Sequence, residues 1–136
     1  MTVFVAALAG RALGQPPPRE AGVDPNAGPA TKQELFASRS AQVEGTNVYL
    51  ESMVVRAKSG LMARIGSRGH EIFVAPNDPS SLEYVAVGAT VDVRGTLVRT
   101  PSAGQARLIY AMSSRESRRL ARDPVYVDAW SLIVQE

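Results

Sequence analysis

The stretch VYLESMVVRAKSG, Val48 to Gly60, decides the fold. Val48 and Leu50 share one face of a period-two pattern, whereas Met53, Val55 and Ala57 have the opposite parity, so the phase flips around Glu51-Ser52. One long strand carrying a bulge accounts for both halves. A bulge bends a strand so that it serves two sheets at once, which is how a small barrel turns its corner. Gly60 then marks a tight turn.

Downstream, Leu61, Ala63 and Ile65 alternate with Met62 and Arg64, Gly66-Ser67-Arg68-Gly69 makes a hairpin connection, and Ile72 and Val74 alternate with Glu71, Phe73 and Ala75. These are expected as strands two and three. Pro76-Asn77-Asp78-Pro79 breaks the ladder, and Asp78 as cap with Pro79 at the first helical position starts a turn of helix over Leu82 and Val85 that Gly88 closes. TVDVRGTLVRT, Thr90 to Thr100, is the fourth strand, with Val91, Val93 and Leu97 in phase and Gly95 between them. Pro101 to Gln105 is turn-rich, and Ala106 to Tyr110 is expected as an irregular edge segment. Ser113-Ser114-Arg115-Glu116 has capping-box spacing and opens a helix with Leu120 and Ala121 on its apolar side, ending near Asp123-Pro124. Whether the excursion from Pro101 to Pro124 is an ordered cover or a mobile flap stays open. Val125 to Val134 (VYVDAWSLIV), β-branched and aromatic, is the last strand, on which Tyr126 and Trp130 share parity with Leu132 and are expected to be structural.

Five strands, a bent first strand, a helical turn between the third and fourth and a glycine in the fourth describe a mainly β protein, a five-stranded, partly open Greek-key barrel with one or two short helices. The runs Ile72-Phe73-Val74, Val87 to Leu97 and Val125 to Ala129 resemble small exported bacterial proteins of the oligonucleotide/oligosaccharide-binding (OB) fold, of uncharacterised function. The resemblance spans about two thirds of the chain, from Val43 to Val134. It implies a fold and an envelope location, and no reaction.

Towards the N-terminus, Thr31-Lys32-Gln33-Glu34 is another capping box, opening a short helix to about Ser40 that plugs the core with Leu35 and Phe36. Before it, QPPPREAGVDPNAGPA (15–30) is too rich in proline and glycine for a helix or central strand and is expected to be a linker. Residues 1–14 combine an apolar stretch, Val3 to Ala9, with Ala12-Leu13-Gly14, the small-residue pattern of a signal-peptide cleavage site. They lack a basic front, and are expected to be a truncated export signal, which leaves residues 31–136 as the folded domain.

Composition bounds the chemistry. In 136 residues, 45% are hydrophobic and 21% charged, enough apolar surface for one core and too little for several domains. Fifteen Lys and Arg against 13 Asp and Glu give a net charge of +2, which implies no strong nucleic-acid field. With no cysteine there is no thiolate nucleophile, disulfide or Cys-bearing metal site. No run approaches the ~18 apolar residues needed to span a bilayer as a helix. His70 is the single histidine, beside Glu71 at a strand start where neighbouring side chains diverge, and is expected as an exposed hairpin residue. Asp92 and Glu71 are the acids best placed to project from strands, but nothing marks them as a converging pair.

The remaining candidates are basic. Arg56, Lys58, Met62, Arg64 and Phe73 are expected on the outer face of strands one to three, where OB domains usually bind, with cations for phosphates and Phe73 for stacking. Arg115, Arg118, Arg119 and Arg122 form a patch on the second helix suited to acidic lipid headgroups, a polyanion or a partner protein, or simply a solvated face. The expectation is a non-catalytic, exported binding or interaction module of the periplasm or envelope, with no metal or cofactor and an envelope protein, glycan or lipid headgroup as partner. A cytoplasmic single-stranded nucleic-acid binder is the chief alternative, and a small hydrolase using His70 or the outward acids the third.

Overall fold

A computed structural model describes residues 28–37, 42–67 and 70–135. The expected leader (1–14), all but the last three residues of the linker, the helix beyond Ala37 and the Arg68-Gly69 corner lie outside these described residues. The barrel strands are β1 (Asn47–Ser59), β2 (Met62–Ser67), β3 (His70–Pro76), β4 (Thr90–Arg99) and β5 (Val125–Val134), joined in the order β1-β2-β3-β5-β4 and closed by β4 pairing back onto β1. All pairings are antiparallel except β3 with β5, where Val74 lies beside Val127. This is the closed five-stranded mixed barrel of an OB-like fold.

Strand β1 does what its sequence phase requires. From Asn47 to Val54 it pairs with β4 and from Val55 to Ser59 with β2, the register slipping between Leu50 and Met53. Ser52, with φ +55°, is the bulge residue, and its backbone N–H donates to Asp92 Oδ1 at 2.9 Å. Gln135 Nε2 donates to the same oxygen at 2.8 Å and to Ser52 Oγ at 3.0 Å. Asp92 is therefore a structural acid that holds the bend.

Inside the barrel, Val48, Leu50, Met53, Val55, Val91 and Val93 pack with residues from the other strands, and Leu35 closes one end with Phe36 partly buried beside it. Leu35 is placed by α1 (Lys32–Ala37), whose reciprocal capping box is present: Glu34 N–H donates to Thr31 Oγ1, and Thr31 N–H to Glu34 Oε1. Ala30–Thr31 adds a short parallel strand beside Val48 and Tyr49. Between β3 and β4 a 3-10 helix, Pro79–Tyr84, is capped by Asp78. Hydrogen bonds from the Ser80 hydroxyl and N–H hold the Asp78 carboxyl below its ordinary range.

The segment after β4 departs from expectation. Instead of an irregular edge, Ala103–Tyr110 forms a helix, α2, with a full capping box between Ser102 and Gln105. Ser102-Ala103-Gly104-Gln105 carries that signature in its sequence, and the neighbouring Pro101 and Gly104 make it read as a turn. Helix α3 (Ser114–Leu120) follows, with Ser113 as its cap. Together they form an ordered cover. Ala106, Met112 and Leu120 pack on Met62, Phe73, Ala75 and Tyr126, making a second apolar cluster on the outside of the barrel.

Candidate functional site

The cover changes the meaning of the expected binding face. Met62 is 0% and Phe73 2% exposed, because side chains that point out of the barrel at β2 and β3 meet the α2–α3 hairpin rather than solvent. Phe73 is thus closed to stacking, a correction to the sequence-based expectation. Leu61, expected inside, lies in the turn after Gly60 and is exposed.

Arg64 is enclosed as well. Its Nη1 donates to Glu71 Oε1 at 2.8 Å and its Nε to Glu116 Oε1 at 3.0 Å. Arg56 reaches Glu71 at 3.6 Å and Arg119 reaches Glu116 at 3.7 Å, so five charges form one chain of pairs joining β1, β2, β3 and α3. Burial would depress the Arg64 pKa, but its hydrogen bonds and charge contacts with Glu116 and Glu71 outweigh this and raise it. Lys58 is exposed, with Nζ donating to the Leu82 carbonyl at 3.1 Å. Of the five residues expected on one face, only Arg56 and Lys58 are exposed, and both have partners.

His70 is exposed as expected and stacks at a tilt on Phe36, ring centroids 5.6 Å apart. It lines a shallow cleft with Lys32, Phe36, Ser52 and Ser67. Glu71 and Asp92 are engaged by Arg64 and by the β1 bulge, on different parts of the barrel. Among the described residues, no three His, Asp or Glu side chains are grouped so as to hold a metal ion. Likewise no helix there is long and apolar enough to cross a membrane.

What the barrel does present is a face that the sequence reading missed. On the outer side of β1, β4 and β5, Tyr49 pairs across with Arg94 and Arg94 with Ser131. The Arg94 guanidinium lies 4.5 Å from the centroid of the Tyr49 ring, a cation–π contact. Trp130 (54% exposed) and Ile133 (61% exposed) adjoin this pair, and with Asp92 and Ser131 they line a groove of about 440 Å³. Trp130 is outside because β5 carries its own bulge: Arg94 faces Ser131 while Gly95 faces Ala129, leaving Trp130 unmatched. Strand parity placed it with Leu132. The available signal was Gly95 on the neighbouring strand, a residue that often marks such a slip.

No known family model matches this chain. No curated protein matches it either. Among solved structures it is similar to the hypothetical protein ygiW from E. coli, at 16% identity over 82% of this chain and 94% of that one, with a TM-score of 0.45. It is also similar to a putative aspartyl-tRNA synthetase from Leishmania major Friedlin, at 14% identity over 88% of this chain, with a TM-score of 0.46. The chain spans 23% of the length of that protein. The fold assignment rests on strand order and closure of the barrel, not on either likeness.

Proposed function

We propose that this protein is a non-catalytic, exported binding module of the bacterial periplasm or envelope, and that the Tyr49–Arg94–Trp130 face receives a protein partner. One observation carries the reading: an exposed Trp and Ile beside a Tyr–Arg pair, on the part of the barrel the helices leave open. Tryptophan, tyrosine and arginine are the side chains that most often dominate protein–protein binding energy. Their setting favours protein over nucleic acid, because Arg94 has Asp92 two residues before it on the same strand face and Glu51 bonded to the Tyr49 hydroxyl at 3.1 Å. A mixed-sign surface of this kind repels a phosphate backbone as much as it attracts one. Support for export is the apolar Val3–Ala9 stretch, the small residues before Gln15 and the proline-rich linker.

The test is expression with the upstream gene region, cell fractionation and sequencing of the mature N-terminus, with a photo-crosslinking residue at Ile133. A periplasmic chain starting at Gln15 that crosslinks to one protein, and loses it on Trp130→Ala, is the expected result. An intact cytoplasmic chain that instead shifts a single-stranded oligonucleotide through Trp130 overturns the reading in favour of nucleic-acid binding.

A further inference from the structure

The α2–α3 hairpin has an outer surface that packing does not explain. Its inner side is committed to the barrel through Ala106, Met112 and Leu120. Leu108, on the side of α2 away from Ala106, is 87% exposed, and Ile109, on its flank, is 59% exposed, although α2 is capped at its start. Residues 103–122 contain five arginines and one glutamate, a net charge of +4 in a chain whose total is +2. The single acid, Glu116, is turned inward onto Arg64. Arg115, Arg118 and Arg122 are exposed and form no ion pair with any described residue, while Arg107 donates to Ser114 Oγ at 3.3 Å, beside the start of α3. The Arg107–Ser114 hydrogen bond links the two helices, so their exposed sides adjoin. This region is basic and carries two exposed large aliphatic side chains, Leu108 and Ile109.

We infer that this surface docks on an anionic lipid bilayer, with Leu108 and Ile109 entering the headgroup boundary and Arg115, Arg118 and Arg122 on the phosphates. Charge complementarity selects an anionic partner, and the two aliphatic side chains select a bilayer over a soluble polyanion, which offers them nothing apolar. The docking is peripheral. It uses a different surface from the Tyr49–Trp130 face and holds whichever partner that face takes. The hairpin is rigidly mounted for it, since Leu61 N–H donates to the Tyr110 carbonyl at 2.8 Å and the Tyr110 and Tyr126 hydroxyls share a hydrogen bond of 2.6 Å.

The experiment is co-sedimentation of the full chain with vesicles of phosphatidylcholine alone or with 30% phosphatidylglycerol, as a function of salt, for the wild type and two variants. Arg118→Gln/Arg122→Gln is expected to weaken partitioning roughly 25-fold, at about fivefold per basic residue near the surface. Leu108→Ser/Ile109→Ser is expected to weaken it roughly tenfold or more. All four positions are exposed, and circular dichroism confirms that the variants fold. Because every chain tested shares the same N-terminus, differences between them report on the hairpin. Equal binding to neutral vesicles, or unchanged binding of both variants, overturns the proposal. Loss with the arginine variant but not with Leu108→Ser/Ile109→Ser also overturns it, and so does complete displacement by a single-stranded oligonucleotide, since either marks a site for a soluble polyanion.

Discussion

Arg64 of β2 donates to Glu116 of α3 at 3.0 Å across 52 residues of chain, with both side chains mostly buried. This pair is one of the points that fasten the helical cover to the barrel. Ser113 Oγ caps α3 by accepting from the Glu116 N–H, but the Glu116 carboxylate does not return to the cap as a capping box would have it. It goes to Arg64 instead, and Ser113 N–H donates to Ser59 Oγ at 2.8 Å, so the start of α3 is fastened to β1 and β2 together. Removing one partner leaves the other charge buried with fewer bonds. Glu116→Ala is therefore expected to destabilise the protein by about 2–4 kcal/mol in urea titration, below the full cost of an isolated buried charge because Glu71 still faces Arg64. A double-mutant cycle with Arg64→Ala is expected to show strong coupling; additive losses would mean that the pair does not hold the hairpin.

A second fastening point is Gly60, where φ is +59° and a Cβ would stand 2.0 Å from the Tyr110 carbonyl oxygen. The β1–β2 turn thus presses its backbone onto the C-terminal end of α2. Gly60→Ala is expected to cost more than the ~1–2 kcal/mol of the left-handed conformation alone. Gly104, in the first turn of α2, meets nothing within 4 Å, and Gly104→Ala is expected to stabilise the protein by roughly 0.5 kcal/mol. Thermal unfolding of the two variants checks both signs.

The barrel was legible where its physics is local. The parity flip at Glu51-Ser52, the caps at Thr31, Asp78 and Ser113, and the alternation of Val91 and Val93 all act over a few residues, and each appears where the sequence puts it. Helix α2 was missed despite a local signal, its Ser102–Gln105 capping box, because Pro101 and Gly104 read as a turn; the other failures depend on partners distant in sequence. Met62 and Phe73 face outward from their strands as their parity requires, but only the packing of α2 and α3 makes that exterior a second core. Trp130 and Arg94 line one groove through a β5 bulge that exists only in the register with β4. The candidate surface was thus hidden even though every residue in it was in plain view.

Phe73 tests the cover directly. A side chain on an open binding face can be truncated with little effect on stability, whereas one 2% exposed beneath two helices cannot. Phe73→Ala is expected to lower stability by about 3–4 kcal/mol in denaturant unfolding. A change below about 0.5 kcal/mol, typical of surface sites, would return β2 and β3 to the solvent.

Asp123 sets a pH dependence. Burial first, and the nearby charge of Glu71 second, raise the pKa of its carboxyl above the ordinary 3.8. A carboxyl whose pKa is higher folded than unfolded favours the folded state when protonated. Its stabilising contribution is complete below 3.8 and is lost as pH rises through the raised folded-state value. At neutral pH its ionised form therefore works against the fold. Asp123→Asn is expected to melt above the wild type at pH 7, with the difference closing as the pH is lowered towards 4. The difference reports the Asp123 charge together with its coupling to Glu71. A gap independent of pH would assign the effect to the neutral side chain rather than to the charge.

Trp130 is the only tryptophan, which makes its environment directly readable. The β5 bulge puts the ring outside, 54% exposed, whereas unbroken strand parity would align it with Leu132, which packs against the core. The two placements differ in three observables. An outside ring emits near the wavelength of solvated indole, is quenched by acrylamide, and on Trp130→Ala changes stability by about 0.5 kcal/mol or less. An inside ring emits to the blue, resists quenching and costs about 3–5 kcal/mol on truncation. We expect the first set in the free protein. Partner binding at the Tyr49–Arg94 face then shifts the emission to the blue and protects it from acrylamide. A partner that binds tightly without moving the Trp130 signal engages some other surface, and the assignment of this face to binding fails with it.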